Sequence, residues 1–597
     1  MNASSLLALF ADNPAVILTV GALMCIATPR HLASPILLLA TVLSGIKLYT
    51  MGLGEYGAIQ LFDHKLTTVR LDPLSRLFAI VFHIAAALNI IYAWGPGREG
   101  SQSKDSAHSR GGDRAQNFAT LAYPAAALGG VLAGDLITLF VWWEIAAITS
   151  VFLVWAPGTR ATYLAGMRYL SIQIASGVLL LGGIVLLFRE TGSLDFGLIG
   201  LRDADGAIKL SALFMFLAFG IKSAFPLLHN WVQDAYPKST ISGTIILSIF
   251  TTKLAVYSLA RAFPGTPELI YIGAVMTIFP IFFALIENDL RKVLTYSINN
   301  QVGFMVCAIG LGAINGAAGY AFGNIIFEGL LFMALGTAMY RTGTSKATEL
   351  GGLYRTMPIT MVMCIIGALS ISAFPGTLGF VTKGLIIDAA GYQGMFWIWL
   401  TLLFASAGVL EHAGIKIPYF TFFAHDSGKR PKDAPLGMMI AMGIAAVLCI
   451  GLGVYPEPLY ALLPEAEKMA DYHPYSAYHI VEQLQLLLWA VLAFAVLIII
   501  KWYPPEIPST NLDFDWVYRV PGRALTGWIS GASRATWNAL WAIFSGRIQA
   551  VMARIYAVHG PEGQMSRSWP IGFMALWTAV LLAFVLVLSF IASAFTA

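Results

Sequence analysis

Residues 358–390 read PITMVMCIIGALSISAFPGTLGFVTKGLIIDAA. The run is apolar almost throughout and too long for one straight membrane helix, which needs about 20 residues to cross hydrocarbon. Pro375, Gly376 and Gly379 sit inside it. Proline removes a backbone donor and glycine frees the chain from helical angles, so the stretch reads as two half-helices joined by an unwound segment. Unwound backbone survives at membrane depth only inside protein or beside water. Lys383 stands just past the break. A broken helix with a cation beside it gives water and charge a way into the bilayer.

The flanking chain has the same solvent. Of 597 residues, 58% are hydrophobic and 11% charged, whereas soluble domains carry about 25% charged residues. About sixteen apolar runs have spanning length. They lie near 14–28, 32–51, 72–94, 118–133, 135–156, 163–188, 208–228, 241–263, 269–287, 294–312, 317–341, 358–390, 395–423, 437–455, 480–501 and 571–595. The first lacks a basic flank and reads as a span, not a cleavable leader. The expected class is an all-α polytopic membrane protein.

Loop charges give orientation. Alternate loops hold Arg98, Lys104, Arg110 and Arg114; Arg291 and Lys292; Lys346 and Arg355; Lys429, Arg430 and Lys432; and the segment after Lys501. The opposite loops are poor in basic residues and include Glu457, Glu465, Glu467 and Asp471. Both termini are therefore expected on the non-cytoplasmic side. Pro504 and Pro505 break the preceding span, and 521–560 reads as a helix whose basic residues keep it from crossing. Trp537, Leu540, Trp541, Phe544, Ile548, Val551 and Ile555 form one apolar stripe on it, as in a helix lying along a membrane surface or a neighbouring bundle.

Other chemistries lack their residues. A net charge of +4 is too small for a nucleic-acid partner. Cys25, Cys307, Cys364 and Cys449 all fall in apolar runs and form no metal-binding pattern. There is no nucleotide loop, no His-Glu-x-x-His and no nucleophile triad. No cofactor is expected, nor an enzyme activity in this chain; any redox chemistry would belong to partner subunits.

Charges inside the spans are harder to dismiss, because each costs about 2.5–3.5 kcal/mol at the bilayer centre. Glu144 lies about 13 Å into its span at 1.5 Å per residue. Lys222 stands in Gly220-Ile-Lys-Ser-Ala-Phe-Pro226, with Pro226 marking a second helix break. Lys253, Glu328 and Lys383 are mid-span. Glu411, His412, Lys416 and Asp388 are accessory candidates. Arg168 is near a helix end, where snorkelling accounts for it, and Asp135 reads as a helix-start residue. Buried lysines lose their proton readily, and a nearby carboxylate restores it. Moving such a carboxylate loads or unloads the amine, so protons are the expected cargo. Lys222 and Lys383 recur at about the separation of two five-span blocks starting near 118 and 269, a sign of internal duplication.

At this level of detail the chain resembles a known family. The matching stretches are Asp135 to Glu144; Ile221 to His229 through Asp234-Ala-Tyr-Pro237; Thr252 to Tyr257; Asn288 to Ser297; Leu350 to Pro358; and Gly379 to Lys383. In this order they resemble the antiporter-like membrane subunits shared by respiratory complex I and the Mrp-type multisubunit cation/proton antiporters. The core looks closer to the D-type member of the latter, and the C-terminal surface helix and last span look like the longest complex I member. The resemblance implies fourteen core helices with two inverted five-helix repeats, each with a broken helix. It implies that Glu144 pairs with Lys222, that Lys253 bridges the halves, that Lys383 serves the exit and that His229 stands beside the first lysine. Two positions depart from the family pattern. Asn324-Ile-Ile-Phe-Glu328 replaces the usual His-x-x-x-Lys, and Tyr236 replaces a histidine. Glu328 either carries the proton in place of that lysine or pairs permanently with Lys253 or Lys383.

The organisation expected is 1–116 as an N-terminal three-helix segment and loop, 117–263 and 269–424 as the two repeats, 437–501 as peripheral helices, 502–570 as the lateral helix region and 571–597 as the anchor. The expected function is proton translocation within a monovalent cation/proton (Na+/H+) antiporter of a bacterial plasma membrane. Its partners are other membrane subunits, lipid, H+ and Na+ or K+. The alternative is a proton channel in a redox-driven pump (complex I or a membrane hydrogenase) or in a proton-driven inorganic-carbon uptake complex.

Overall fold

Helix starts are where hydrocarbon is least forgiving, because the first backbone N–H groups have no partner within the helix. The chain answers with side-chain caps. Asn13, Asp72, Asp135, Thr159, Thr240, Asp289 and Ser476 each accept a hydrogen bond from the first turn of the helix that follows. The computed structural model describes residues 13–61, 64–94, 109–503, 506–507, 511–563, 565–567 and 570–596. Arg98, Lys104, Pro504 and Pro505, on which part of the orientation and the break after 501 rested, lie outside the described residues.

Two units are resolved, residues 1–511 and 512–597. In the first, α1 (Pro14–Ala27) and α2 (Arg30–Thr50) precede a hairpin of β1 (Gly54–Leu61) and β2 (His64–Leu71). The strands are antiparallel, with Gly54 opposite Leu71 and Leu61 opposite His64. Then come α3 (Pro73–Ala93), α4 (Ser109–Leu132), α5 (Leu136–Trp155), α6 (Arg160–Thr191), α7 (Leu210–Lys222), α8 (Asn230–Ala235), α9 (Ile241–Ala262), α10 (Pro267–Ile286), α11 (Leu290–Gly310) and α12 (Ile314–Thr342). The stretch 358–390 is indeed two helices, α13 (Pro358–Ile371) and α14 (Leu378–Tyr392). α15 (Phe396–Val409) runs on through widened π turns to Phe423, a register that accommodates Pro418. α16 (Leu436–Val454) and α17 (Ala477–Ile499) complete the unit. The second unit holds α18 (Pro521–His559), none of whose residues is buried, and the apolar α19 (Ile571–Thr596). Among the described residues, eleven helices are long and apolar enough to cross a membrane.

α9 and α12 are the core of the first unit, every residue of the most apolar window of α9 and 94% of that of α12 being enclosed by protein. They also carry Lys253 and Glu328. These two charges therefore sit on helices enclosed by protein, where a mid-span charge can find polar groups of the chain.

Two segments repeat in detail. Ser223-Ala-Phe-Pro226 after α7 and Ser372-Ala-Phe-Pro375 after α13 end their helices identically. Ala224 and Ala373 take left-handed φ of 62° and 59°. The amides of Phe225 and Phe374 bond back to the carbonyls of Gly220 (2.9 Å) and Leu369 (3.0 Å). An L-residue in that region costs about 1–2 kcal/mol, and here the cost is met twice at the same tetrapeptide. The starts of α5 and α11 also match, the amides of Leu136 and Leu290 bonding to the carbonyls of Leu194 (2.8 Å) and Ser345 (2.9 Å). The two lysines are not in equivalent places, since Lys222 precedes its tetrapeptide and Lys383 follows the other.

Candidate functional site

Lys222 is the last residue of α7 and is 1% exposed. A helix C-terminus carries the negative end of the peptide dipoles, which favours an ammonium there. Its Nζ donates to the carbonyl of Trp143 (2.8 Å) and lies 4.0 Å from the centroid of the Trp143 ring, a cation–π contact strengthened by dehydration. The ring is held in place by a relay of hydrogen bonds. Trp143 Nε1 donates to Ser176 Oγ (3.1 Å), and Ser176 donates to the carbonyl of Ala218 (2.7 Å).

Glu144 follows Trp143 on α5, yet no ion pair joins it to Lys222 in this conformation; the lysine spends its bond on the neighbouring carbonyl. The two groups stand within electrostatic reach of each other without a direct bond. Glu144 Oε1 is buried without a hydrogen-bond partner and lies against Gly177 on α6. A Cβ built on Gly177 would fall 1.5 Å from that oxygen. Gly177 and Ser176 are thus the positioning residues for Glu144 and Trp143. Neither was apparent from sequence, where a small-residue pair in a helix has many uses.

At the centre, Lys253 Nζ pairs with Glu328 Oε2 at 3.4 Å and donates to the carbonyl of Ser248 (2.8 Å). Both side chains are about 1–2% exposed. Of the alternatives for Glu328, the pairing found is with Lys253. The other oxygen, Oε1, is buried, and Asn324 stands one turn earlier, close enough for its side chain to interact with the carboxyl. Tyr320, Asn324 and Glu328 stand four residues apart and line one face of α12. The face runs about 12 Å at 1.5 Å per residue.

Its far end is Lys383, 0% exposed, whose Nζ lies 5.7 Å from the Tyr320 ring centroid and 5.1 Å from that of Phe304. The amine donates to the carbonyl of Ile371 (2.9 Å), the last residue of α13. Each half-helix that stops at a break thus ends at a lysine. The Tyr320 hydroxyl donates to Gln301, whose amide donates to Asn300 (3.0 Å). Thr252, Ser297 and Asn299 present further buried polar atoms with no hydrogen-bond partner among the described residues. Unsatisfied buried groups are rare in proteins and demand an explanation, and such atoms are suited to binding water.

The remaining candidates divide. His229 is buried at the start of α8 with its ring 4.6 Å from that of Phe279. Tyr236 is buried with its ring 5.6 Å from Trp231 and 6.5 Å from Tyr169. Lys416 donates to the carbonyls of Ala284, Leu285 and Glu287 (3.2, 2.7 and 2.8 Å) and pairs with Glu506 at 2.7 Å. It therefore closes the end of α10. His412 bonds through Nδ1 to the carbonyl of Gly408 (2.6 Å), with Nε2 buried and unpartnered, and Glu411 is half-buried beside it. Asp388 accepts from Tyr472 (3.2 Å). Pro226, Pro375 and Gly376 fall in the unwound segments. Arg168 is not simply snorkelling. Its guanidinium grips Asp234 with two bonds of 2.7 and 3.0 Å, a planar fork matched to a carboxylate. Asp135 caps α5 by accepting from the amide of Thr138 (2.7 Å).

Comparison with known proteins gives the family of this stretch. Residues 133–408, which contain Glu144, Lys222, Lys253, Glu328 and Lys383, match the family described as NADH:quinone oxidoreductase/Mrp antiporter, TM. The chain is 30% identical over 363 residues to the D-type Na(+)/H(+) antiporter subunit of Alkalihalophilus pseudofirmus, covering 58% of this chain and 73% of that one. It is 25% identical over 427 residues to hydrogenase-4 component B of Escherichia coli, covering 65% of this chain but only 62% of that longer relative. Its fold is similar to a chain of the Mrp complex from Dietzia sp. DQ12-45-1b, with TM-score 0.71 and 22% identity over 98% of this chain and 63% of that one. This chain is a multi-pass membrane protein belonging to the NADH:quinone oxidoreductase/Mrp antiporter transmembrane family.

Proposed function

We propose that this chain is the proton-translocating subunit of a multisubunit monovalent cation/proton (Na+/H+) antiporter in a bacterial plasma membrane. The observation that carries the reading is the set of ionisable groups within the helices, Lys222, Lys253 with Glu328, and Lys383 buried and Glu144 half-buried. Lys222 and Lys383 each adjoin an unwound segment, which supports a path for water and protons. Protons move along such a path by hopping through water and side chains. A buried ammonium keeps its proton while a carboxylate is close and releases it when the carboxylate turns away. Glu144 sits near Lys222 without bonding to it, as a carboxylate that turns between two positions would. Glu328 takes the place of the lysine usual at its position and exchanges its proton with Lys253 on one side and, through Asn324 and Tyr320, Lys383 on the other.

In this reading about sixteen segments cross the membrane. The repeats 117–263 and 269–424 are inverted relative to one another, each with its break, and both termini are non-cytoplasmic. Residues 1–116, 437–501, 502–570 and 571–597 frame them as entry segment, peripheral helices, lateral helix and anchor. The likeness to a Na(+)/H(+) antiporter subunit supports exchange against Na+ or K+. The likeness to a hydrogenase component supports the second reading, a proton channel in a redox-driven pump; an inorganic-carbon uptake partner would use the same relay. Purifying the assembly intact, identifying its subunits and imposing a Na+ or K+ gradient on inside-out vesicles separates them. Antiporter companions and gradient-driven proton movement are expected. Iron–sulfur or zinc-bearing companions and no cation dependence would replace antiport with coupling to another reaction.

A further inference from the structure

The relay ends at Lys383, and its amine is closed in by Phe304, Tyr320 and the carbonyl of Ile371. A proton that arrives there needs an acceptor on the way out. The structure brings one to the next residue. A Cβ built on Gly384 would lie 2.5 Å from His479 Cε1, 2.8 Å from its Nε2 and 2.9 Å from the Tyr472 hydroxyl. Glycine at 384 is what lets an imidazole and a phenol close on the backbone beside the lysine. The His479 ring is stacked on Phe380 of the same helix, with centroids 4.8 Å apart and planes 28° from parallel. Tyr472 donates to Asp388 (3.2 Å), and Asp388 and Glu482 both lie within electrostatic reach of His479.

The segment carrying His479 is fixed to the break itself. Gln483, one turn on, donates to the carbonyl of Ser372 (3.4 Å), and the Tyr475 ring packs 5.4 Å from Phe380. Asp388, His479 and Glu482 are all half-buried, whereas Lys383 is fully enclosed. The cluster therefore bridges enclosed and open space. The acidic residues Glu457, Glu465, Glu467 and Asp471 stand in the chain just before this cluster.

We infer that His479, with Asp388 and Tyr472, is the proton-release site that unloads Lys383 toward the half-exposed side of this cluster; this rests on the proton-relay reading above. The Lys383 ammonium passes its proton through water to one nitrogen of the neutral imidazole and is left a neutral amine. The imidazolium releases a proton from its other nitrogen to Asp388 or water, and so returns to its starting charge. Histidine suits the step because one ring nitrogen can take a proton while the other gives one up.

The test measures proton current through the intact complex on a solid-supported membrane. His479→Ala is expected to lower the current about tenfold or more and to regain part of it with added imidazole, measured against the parent complex in the same imidazole. His479→Phe, which keeps the stacking on Phe380, is expected to be as slow and not to respond. Parent-like current in His479→Phe, or no rescue of His479→Ala, overturns the release site. Lys222→Ala separates this from the wider reading. A dead Lys222→Ala beside active His479 variants removes the release site alone, whereas an active Lys222→Ala removes the relay.

Discussion

Replacing Gly177 by alanine separates stability from conduction. The added Cβ would stand 1.5 Å from Glu144 Oε1 and 2.5 Å from its Cδ, and the nearest atoms it meets all belong to that one side chain. No backbone obstructs it, so α6 has no reason to move. Alanine is favoured over glycine inside a helix by about 1 kcal/mol, and the variant is expected to melt at the same temperature as the parent or slightly above. The carboxylate, however, must leave its niche and take another position relative to Lys222. Loss of a positioned acid–base group costs proton transfer about a hundredfold or more, and a displaced one at least about tenfold. Inside-out vesicles with a pH-sensitive dye read the flux, and thermal unfolding of the purified complex reads the stability. A stable Gly177→Ala protein that conducts like the parent would refute the reasoning, because Glu144 would then act without the place its neighbour leaves for it.

Three further outcomes concern the central pair and the second break. Lys253→Met leaves the Glu328 carboxyl buried without its cation and is expected to destabilise the complex by about 3–5 kcal/mol in thermal or chemical unfolding. Glu328→Gln should stop flux, and Glu328→Lys, which faces Lys253 with a second ammonium, should not restore it; recovery of flux in the lysine variant would argue against a specialised acid. At the break, a Cβ on Gly379 would lie 1.7 Å from the carbonyl oxygen of Ser370, so the two half-helices must part. Gly379→Ala is expected to cost about 1–3 kcal/mol, more than Gly376→Ala. Gly376 meets open space and loses only its left-handed backbone, at about 1 kcal/mol. Equal melting temperatures for the two would contradict this account of the break.

Much of the fold was legible because hydrocarbon imposes one rule on every residue. Apolar runs of spanning length became helices, and Pro375 with Gly376 marked a real interruption. The buried charges were legible for the same reason, since each is too costly to persist without a role. What escaped were relations between distant segments. The hairpin of 54–71 mixes polar and apolar residues in strands too short to stand out between two spans; its signal was weak alternation, and its stability comes partly from packing on the start of α5, where Gly134 donates to the carbonyl of Thr67 (3.0 Å). The grip of Arg168 on Asp234 joins residues of different helices and leaves no mark at either position. Gly177 and Gly384 act through the side chain they lack, and only the neighbours reveal that. The widened turns of 410–423 did leave a trace, because Pro418 inside an apolar helix cannot donate in the ordinary register.

Protons, on this account, cross the membrane through the buried amines and acids of this one chain. Proton uptake into inside-out vesicles holding the otherwise intact complex, compared among the parent, Glu144→Ala and Lys222→Ala at equal assembly, tests it most directly. Both variants are expected to lose nearly all proton movement while the complex stays assembled. Undiminished uptake in both would place the path elsewhere.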